Sequence, residues 1–350
     1  MNNYIKAIRL LTSGEQPCFD ISDTLYKHGC YYLLSKLNCS NEYSNLLKAQ
    51  TLLNKISIKE RFKSCADIFK TLNNRGIPYA VIKGAVLSNS AYNDPFCRRS
   101  GDIDLLIDRK NIDEVKRIML DNGFVQGRIG DNGIEPFTRK ELLFQTSMSH
   151  QLAPFVKETN NKLCPYINVD INLNIIWGES KTKADMAFVL EHAVDADIFN
   201  ISIKKLCPEM EFISLCLHHY KDMNSIYLLY ERGLKLSHFC DIYFYIKNSC
   251  ISLEKLNKVC AQLNISEYIY YCVYYTDLIF CDTKLNEYKK LLYSKKADNL
   301  IDKFGLEDQE RQTWNIDFFS RLFETDIRNY MENNLDKSLL KKIKINQELM

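Results

Sequence analysis

Residues 77–108 read IPYAVIKGAVLSNSAYNDPFCRRSGDIDLLID, and this stretch decides the fold. After the Arg75-Gly76 break, the apolar run Pro78-Tyr79-Ala80-Val81-Ile82 predicts a buried strand. Lys83-Gly84 follows it directly, and a short helix is expected from Gly84 to about Ala91. A strand, a glycine and a helix start in succession leave unpaired backbone N–H groups pointing outward, which suits a phosphate group. A second strand is expected over 102–107, carrying Asp102 and Asp104. Side chains one residue apart on a strand share a face, so the two carboxylates can share a divalent cation.

The next residues close this unit. Asn111-Ile112-Asp113-Glu114 has the spacing of a capping box for a helix running to about Asp121, which assigns Asp108 to the turn before it. Beyond Gly123 the pattern becomes β-rich. SMSHQLAPFVKE (147–158) and KLCPYINVDINLNIIW (162–177) read as a hairpin joined by Thr159-Asn160-Asn161. In its second arm Val169, Ile171, Leu173 and Ile175 share one face, while Asp170, Asn172 and Asn174 share the other. Asp170 is therefore a candidate third metal ligand. His150, near the start of the hairpin, could approach the site and is kept as a candidate beside its reading as a hydrogen-bonded structural residue.

On either side of this region the apolar spacing is helical. Residues 2–74 give a series of helices with no catalytic spacing, expected to form a packing layer. From about Lys183 to the end the pattern is helical again, apart from a short strand at DIFNISI (197–203). The aromatic run YIYYCVYYTDLIF (268–280) reads as core or interface. The expected organisation is an N-terminal helical segment over 1–75, a catalytic core over 76–182 and a C-terminal helical domain over 183–350. The fold class is α+β, a mixed sheet flanked by helices.

Composition limits the partners. Among 350 residues, Lys plus Arg number 46 and Asp plus Glu 44, for a net charge of +2, so no whole-protein field draws the chain to extended nucleic acid or anionic lipid. The 13 cysteines include no Cys-x-x-Cys pair and are expected to be free thiols in a reducing cytoplasm. The N-terminus, MNNYIKAIRLLTSGEQ, has no signal-peptide pattern, and no apolar run approaches the roughly 20 residues needed to cross a bilayer.

The order Lys83-Gly84, Arg98, Gly101-Asp102-Ile103-Asp104-Leu105-Leu106 and Asp170-Ile171-Asn172 resembles the DNA polymerase beta-like nucleotidyltransferase superfamily, and within it the bacterial uncharacterised nucleotidyltransferase family. The likeness is good over about 77–177 and looser through LCLHHYKD and LKLSHFCDI, where relatives place residues facing the nucleotide or acceptor: here His218, His219, Lys221, His238 and Asp241. The resemblance implies that Asp102, Asp104 and Asp170 form the catalytic and metal-binding set for two Mg²⁺ ions, or Mn²⁺. It also implies that Lys83, Gly84, Arg98 and Gly101 bind the nucleotide. A nucleoside triphosphate such as ATP is the implied donor, with a small-molecule or peptide acceptor. The same fold also carries tRNA- or protein-modifying enzymes, sugar-transferring enzymes and non-catalytic nucleotide-binding regulators. Two departures stand out: Ala85 where superfamily members often have Ser, and Asn172 where relatives have His.

Overall fold

The computed structural model describes residues 2–148, 150–178 and 180–349, without the side chains of 41, 144–148, 348 and 349. Ser149, in the first arm of the expected hairpin, and Glu179, near the expected end of the core, lie outside the described residues. In chain order, α1 (Asn3–Thr12), α2 (Ser22–Lys27) and α3 (Tyr31–Lys36) precede the long α4 (Asn41–Asn74). Then come β1 (Tyr79–Ile82), α5 (Gly84–Tyr92), β2 (Ile103–Ile107), α6 (Ile112–Asp121), β3 (Val125–Gly130), β4 (Gly133–Pro136) and α7 (Arg139–Met148). They are followed by β5 (Phe155–Glu158), β6 (Tyr166–Asn172), α8 (Met186–Glu191), β7 (Ala193–Ile198), β8 (Ile201–Leu206), α9 (Pro208–Asn224), α10 (Ile226–Arg232), α11 (Leu236–Asn248), α12 (Leu253–Leu263) and α13 (Ser266–Phe280).

Two compact units share this chain. One comprises Ser40–Ser214 and Lys247–Val259. It is built on an eight-stranded mixed sheet in the order β4-β3-β5-β6-β2-β1-β8-β7. The central strand β2 pairs antiparallel with β1 and parallel with β6. Its five residues are all buried, as expected of a strand covered on both faces. Ile103, Leu105 and Ile107 point into a core shared with Ile167, Val169 and Ile171 of β6 and with Val115, Ile118 and Met119 of α6. The same core takes Ile58, Phe62, Cys65, Phe69 and Leu72 from α4, spaced at three and four residues so that they form one helix face. Truncating a fully buried ring such as Phe69 to Ala costs about 3–5 kcal/mol at sites of this kind. Asp104 and Leu106 alternate to the opposite face of β2, and Asp104 begins the functional surface.

Three details differ from the sequence reading. The expected first hairpin arm over 147–158 narrows to β5, Phe155–Glu158, because α7 runs to Met148. Asn111 makes no side-chain cap bond to α6; Asp108 caps the preceding turn instead, accepting from the Lys110 N–H at 3.2 Å. The DIFNISI segment is not one strand but the turn of the β7–β8 hairpin, and β8 extends the sheet by pairing parallel with β1. Phe199 and Asn200 both have positive φ, 58° and 61°, at the two central positions of that turn. The conformation is unusual for a phenylalanine; its ring stacks on Phe96 at 5.4 Å and meets Phe62 edge-on at 5.5 Å.

The second unit comprises the residues up to Cys39, Leu215–Ile246 and the chain from Cys260 onward. It is helical apart from a two-residue ribbon, Lys303–Phe304 with Gln312–Thr313. The aromatic run is core: Tyr271 and Tyr275 are buried, and the Tyr275 hydroxyl donates to Asp302 at 3.0 Å. Among the described residues, no helix is long and apolar enough to cross a membrane.

Candidate active site

The β1–α5 junction is conformationally costly. Lys83 has φ 57° and ψ −153°, a region populated almost only by glycine, and Gly84 follows at φ 48°. Such a residue costs of order 1–3 kcal/mol and persists where its surroundings over-determine it. The two left-handed residues let α5 begin immediately after the strand, with no side chain capping its first turn. Its leading N–H groups are thus available to an anion. A Cβ on Gly84 would lie 3.0 Å from the Ser100 hydroxyl, so the turn is also tight against the loop that precedes β2. Ala85 is buried in the core, where a serine hydroxyl would lack water.

The carboxylates gather through strand register. Asp104 of β2 stands opposite Asp170 of the parallel strand β6, and Asp102 lies two residues before Asp104. The Lys83 ammonium is 2.8 Å from Asp104 Oδ1, and both side chains are largely buried. The same oxygen accepts a hydrogen bond from Asn172 Nδ2 at 3.0 Å, and Asn172 Oδ1 in turn accepts from Gln151 at 2.8 Å. Asn172 thus links Asp104 of β2 to Gln151. Burial first, and the charge of Asp104 second, push the Asp102 carboxyl up, against the pull of Lys83, Arg61 and Arg98. Burial and then the Asp102 and Asp104 charges push Asp170 up to about 7.

The loop carrying Arg98 and Gly101 is pinned from both sides. Ser88 of α5 donates to the Asp94 carbonyl at 2.7 Å and accepts from the Arg98 N–H at 3.0 Å. Asn54 of α4 donates to the carbonyls of Phe96 and Arg98 at 2.8 and 3.0 Å. Arg61, also on α4, donates to the Ser100 carbonyl at 2.8 Å, and the Ser100 hydroxyl donates to the Asp102 carbonyl at 3.0 Å. Arg61 lines, with Lys83, Gly84, Ser100, Asp102 and Asp104, a cavity of about 10 Å³, at the lower limit for one water molecule.

The residues singled out from sequence thus converge, with differences in role. Lys83, Gly84, Asp102, Asp104 and Asp170 come together. Arg98 is half-buried and acts on Asp102 through its charge, whereas the adjacent Arg99 is exposed. Gly101 is exposed and has open space around its missing Cβ, so close approach and not a special backbone conformation is what it permits. Arg61, Asn54, Ser88 and Ser100 were invisible as site residues, because Asn54 and Arg61 sit on a helix whose pattern signals only packing. Asp104 is buried and Asp102 and Asp170 are half-buried beside it; together the three mutually repelling carboxylates are a hard-oxygen donor set that fits Mg²⁺ or Mn²⁺.

Mixed sheet, strand–glycine–helix turn and acidic strand pair together make up the α+β fold of a nucleotidyltransferase. The chain belongs to the family described as "Uncharacterised nucleotidyltransferase", whose model matches residues 28–281, and it is an enzyme of that class. Comparison with curated proteins gives no match. Among solved structures it is similar to an antigenic nucleotidyltransferase-like protein from Paracoccidioides brasiliensis, at 16% identity and a TM-score of 0.39, over 68% of this chain and 92% of that one.

Proposed function

We propose that the protein is a Mg²⁺-dependent enzyme that moves a nucleoside monophosphate from a nucleoside triphosphate onto a hydroxyl of a small-molecule or peptide acceptor. The observation that carries this reading is the in-register pairing of Asp104 with Asp170 across β2 and β6, with Asp102 just upstream. Asp102, Asp104 and Asp170 are the residues that would hold two Mg²⁺ ions, or Mn²⁺; bound there, the ions neutralise phosphate charge and activate the acceptor oxygen. The chain's own groups do the remainder. N–H groups at the start of α5 receive triphosphate oxygens, with Lys83 as a point charge and Arg98 as a bidentate fork. Asp170, its carboxyl pushed up to about 7, receives the acceptor's proton at a carboxylate oxygen. The acceptor oxygen bonds to the α-phosphorus, the bond to the bridging oxygen breaks, and pyrophosphate leaves.

Near-neutral net charge, +2 over the chain, favours small acceptors over long RNA. Thirteen free cysteines suit a reducing compartment such as the cytoplasm. The test is incubation with labelled triphosphates and Mg²⁺ against metabolite and peptide fractions, with mass analysis of the products. Labelled acceptor from wild type but not from Asp102→Asn plus Asp104→Asn supports the reading; indistinguishable product profiles count against it.

A further inference from the structure

The helical unit holds a second group of chemistry-bearing side chains. His218, His219 and Asp222 lie on α9, and His238 and Asp241 on α11. His218, His219 and Asp222 each offer a ligand atom within 4.8 Å of the others. Asp222 Oδ2 is 3.4 Å from His218 Nε2 and 3.8 Å from His238 Nε2. Both separations are long for a charge-assisted hydrogen bond, which closes to about 2.7–2.9 Å. They approach the donor–donor edge of a tetrahedron whose metal bonds are about 2.0–2.1 Å, an edge of roughly 3.4 Å.

A separate observation concerns His219. Its side chain is completely buried, and its Nε2 lies 3.1 Å from Asp241 Oδ2. An ionised carboxylate only accepts, so Nε2 carries the hydrogen and, in the neutral ring, Nδ1 is a lone pair. That Nδ1 is buried with no hydrogen-bond partner. Buried polar atoms nearly always have one, and an orphan marks a missing water or ion. A histidine that donates one nitrogen to a carboxylate and keeps the other as a lone pair has the arrangement of a metal ligand oriented from behind. His218, Asp222 and His238 are each partly open to water, so a cation has a way in.

We propose that His218, His219 and Asp222 bind Zn²⁺, with His238 facing the same Asp222 oxygen and Asp241 orienting His219. The imidazole-rich donor set selects a borderline transition cation over Mg²⁺, which separates this site chemically from the three carboxylates. The ligands all lie on α9, and the His219–Asp241 bond links them to α11.

The experiment uses full-length protein stripped with a chelator and carrying Asp102→Asn, Asp104→Asn and Asp170→Asn, so that the carboxylate site cannot contribute. Calorimetric titration with Zn²⁺ is expected to show one equivalent bound at micromolar Kd or tighter, with no uptake of Mg²⁺, and Co²⁺ is expected to give tetrahedral visible bands. Asp222→Asn and His218→Gln, both partly exposed and checked for fold by circular dichroism, are each expected to weaken binding at least tenfold. Asp241→Asn is expected to weaken it about 10–100-fold. Absence of a stoichiometric Zn²⁺ equivalent, or binding unchanged in both Asp222→Asn and His218→Gln, overturns the proposal. Neither result bears on nucleotidyl transfer, which is assayed separately.

Discussion

Replacing Asp170 by Asn is expected to stabilise the cation-free protein at pH 8, the reverse of what removing a buried polar contact ordinarily does. The carboxyl titrates near 3.8 in an unfolded chain and is pushed up to about 7 in the fold, by burial first and by Asp102 and Asp104 second. The folded state therefore holds a proton that the unfolded state has released between these values. Stability from this group is fully present below about pH 4 and is lost as pH rises through about 7. Three pH units correspond to roughly 4 kcal/mol, and partial exposure to water reduces that to about 2 kcal/mol. Asparagine has the same shape, keeps an oxygen for the weak 3.4 Å bond from Asn168 and carries no charge. Urea denaturation or calorimetry in EDTA should therefore show Asp170→Asn more stable than wild type at pH 8 by about 2 kcal/mol, or about 3 °C in Tm. The difference should shrink to less than half of that at pH 5 and vanish only below about pH 4, where the unfolded carboxyl is also protonated. Mg²⁺ should raise wild-type stability at pH 8 and raise that of the variant, which keeps Asp102 and Asp104 but lacks the third carboxylate, by less. A variant equally destabilised at both pH values would refute the reasoning, because the carboxyl would then act as an ordinary structural group.

Other perturbations test the supporting contacts. Arg61→Met removes a charge-assisted bond to the Ser100 carbonyl worth about 1.5–3 kcal/mol, and should lower kcat/KM at least tenfold with native circular dichroism. Gly84→Ala places a Cβ 3.0 Å from the Ser100 hydroxyl at φ 48°, and should cost about 1–2 kcal/mol by urea titration. Asn172→Ala frees Asp104 from a donor and should weaken Mg²⁺ affinity about tenfold by calorimetry, while Asn172→His, which keeps a ring N–H donor, should weaken it less.

Much of the site was legible because strand periodicity is strict. Asp102 and Asp104 announce themselves by alternation, and Asp170 by sitting on the polar side of a strand whose other side is Val169, Ile171 and Leu173. What escaped was tertiary. Asn54 and Arg61 lie on a helix whose apolar spacing gives its packing face clearly and says nothing of which polar residues reach a loop some forty positions away. The β7–β8 hairpin was hidden because its turn uses Phe199-Asn200 at positive φ, with no glycine to mark it. Lys83 in a glycine-like conformation was equally silent, since its strain is set by the sheet and loop around it. The family resemblance identified Asn172 only as a departure; the structure gives it a bond to Asp104.

The central claim is that the Asp102, Asp104 and Asp170 carboxylates carry metal-dependent nucleotidyl transfer. The most direct measurement follows pyrophosphate release and acceptor labelling from α-labelled triphosphates, with Mg²⁺ and with EDTA, in wild type and in Asp102→Asn plus Asp104→Asn. The account predicts labelled acceptor and stoichiometric pyrophosphate only from wild type with the cation. Equal transfer by the double variant, or transfer undiminished in EDTA, would contradict it.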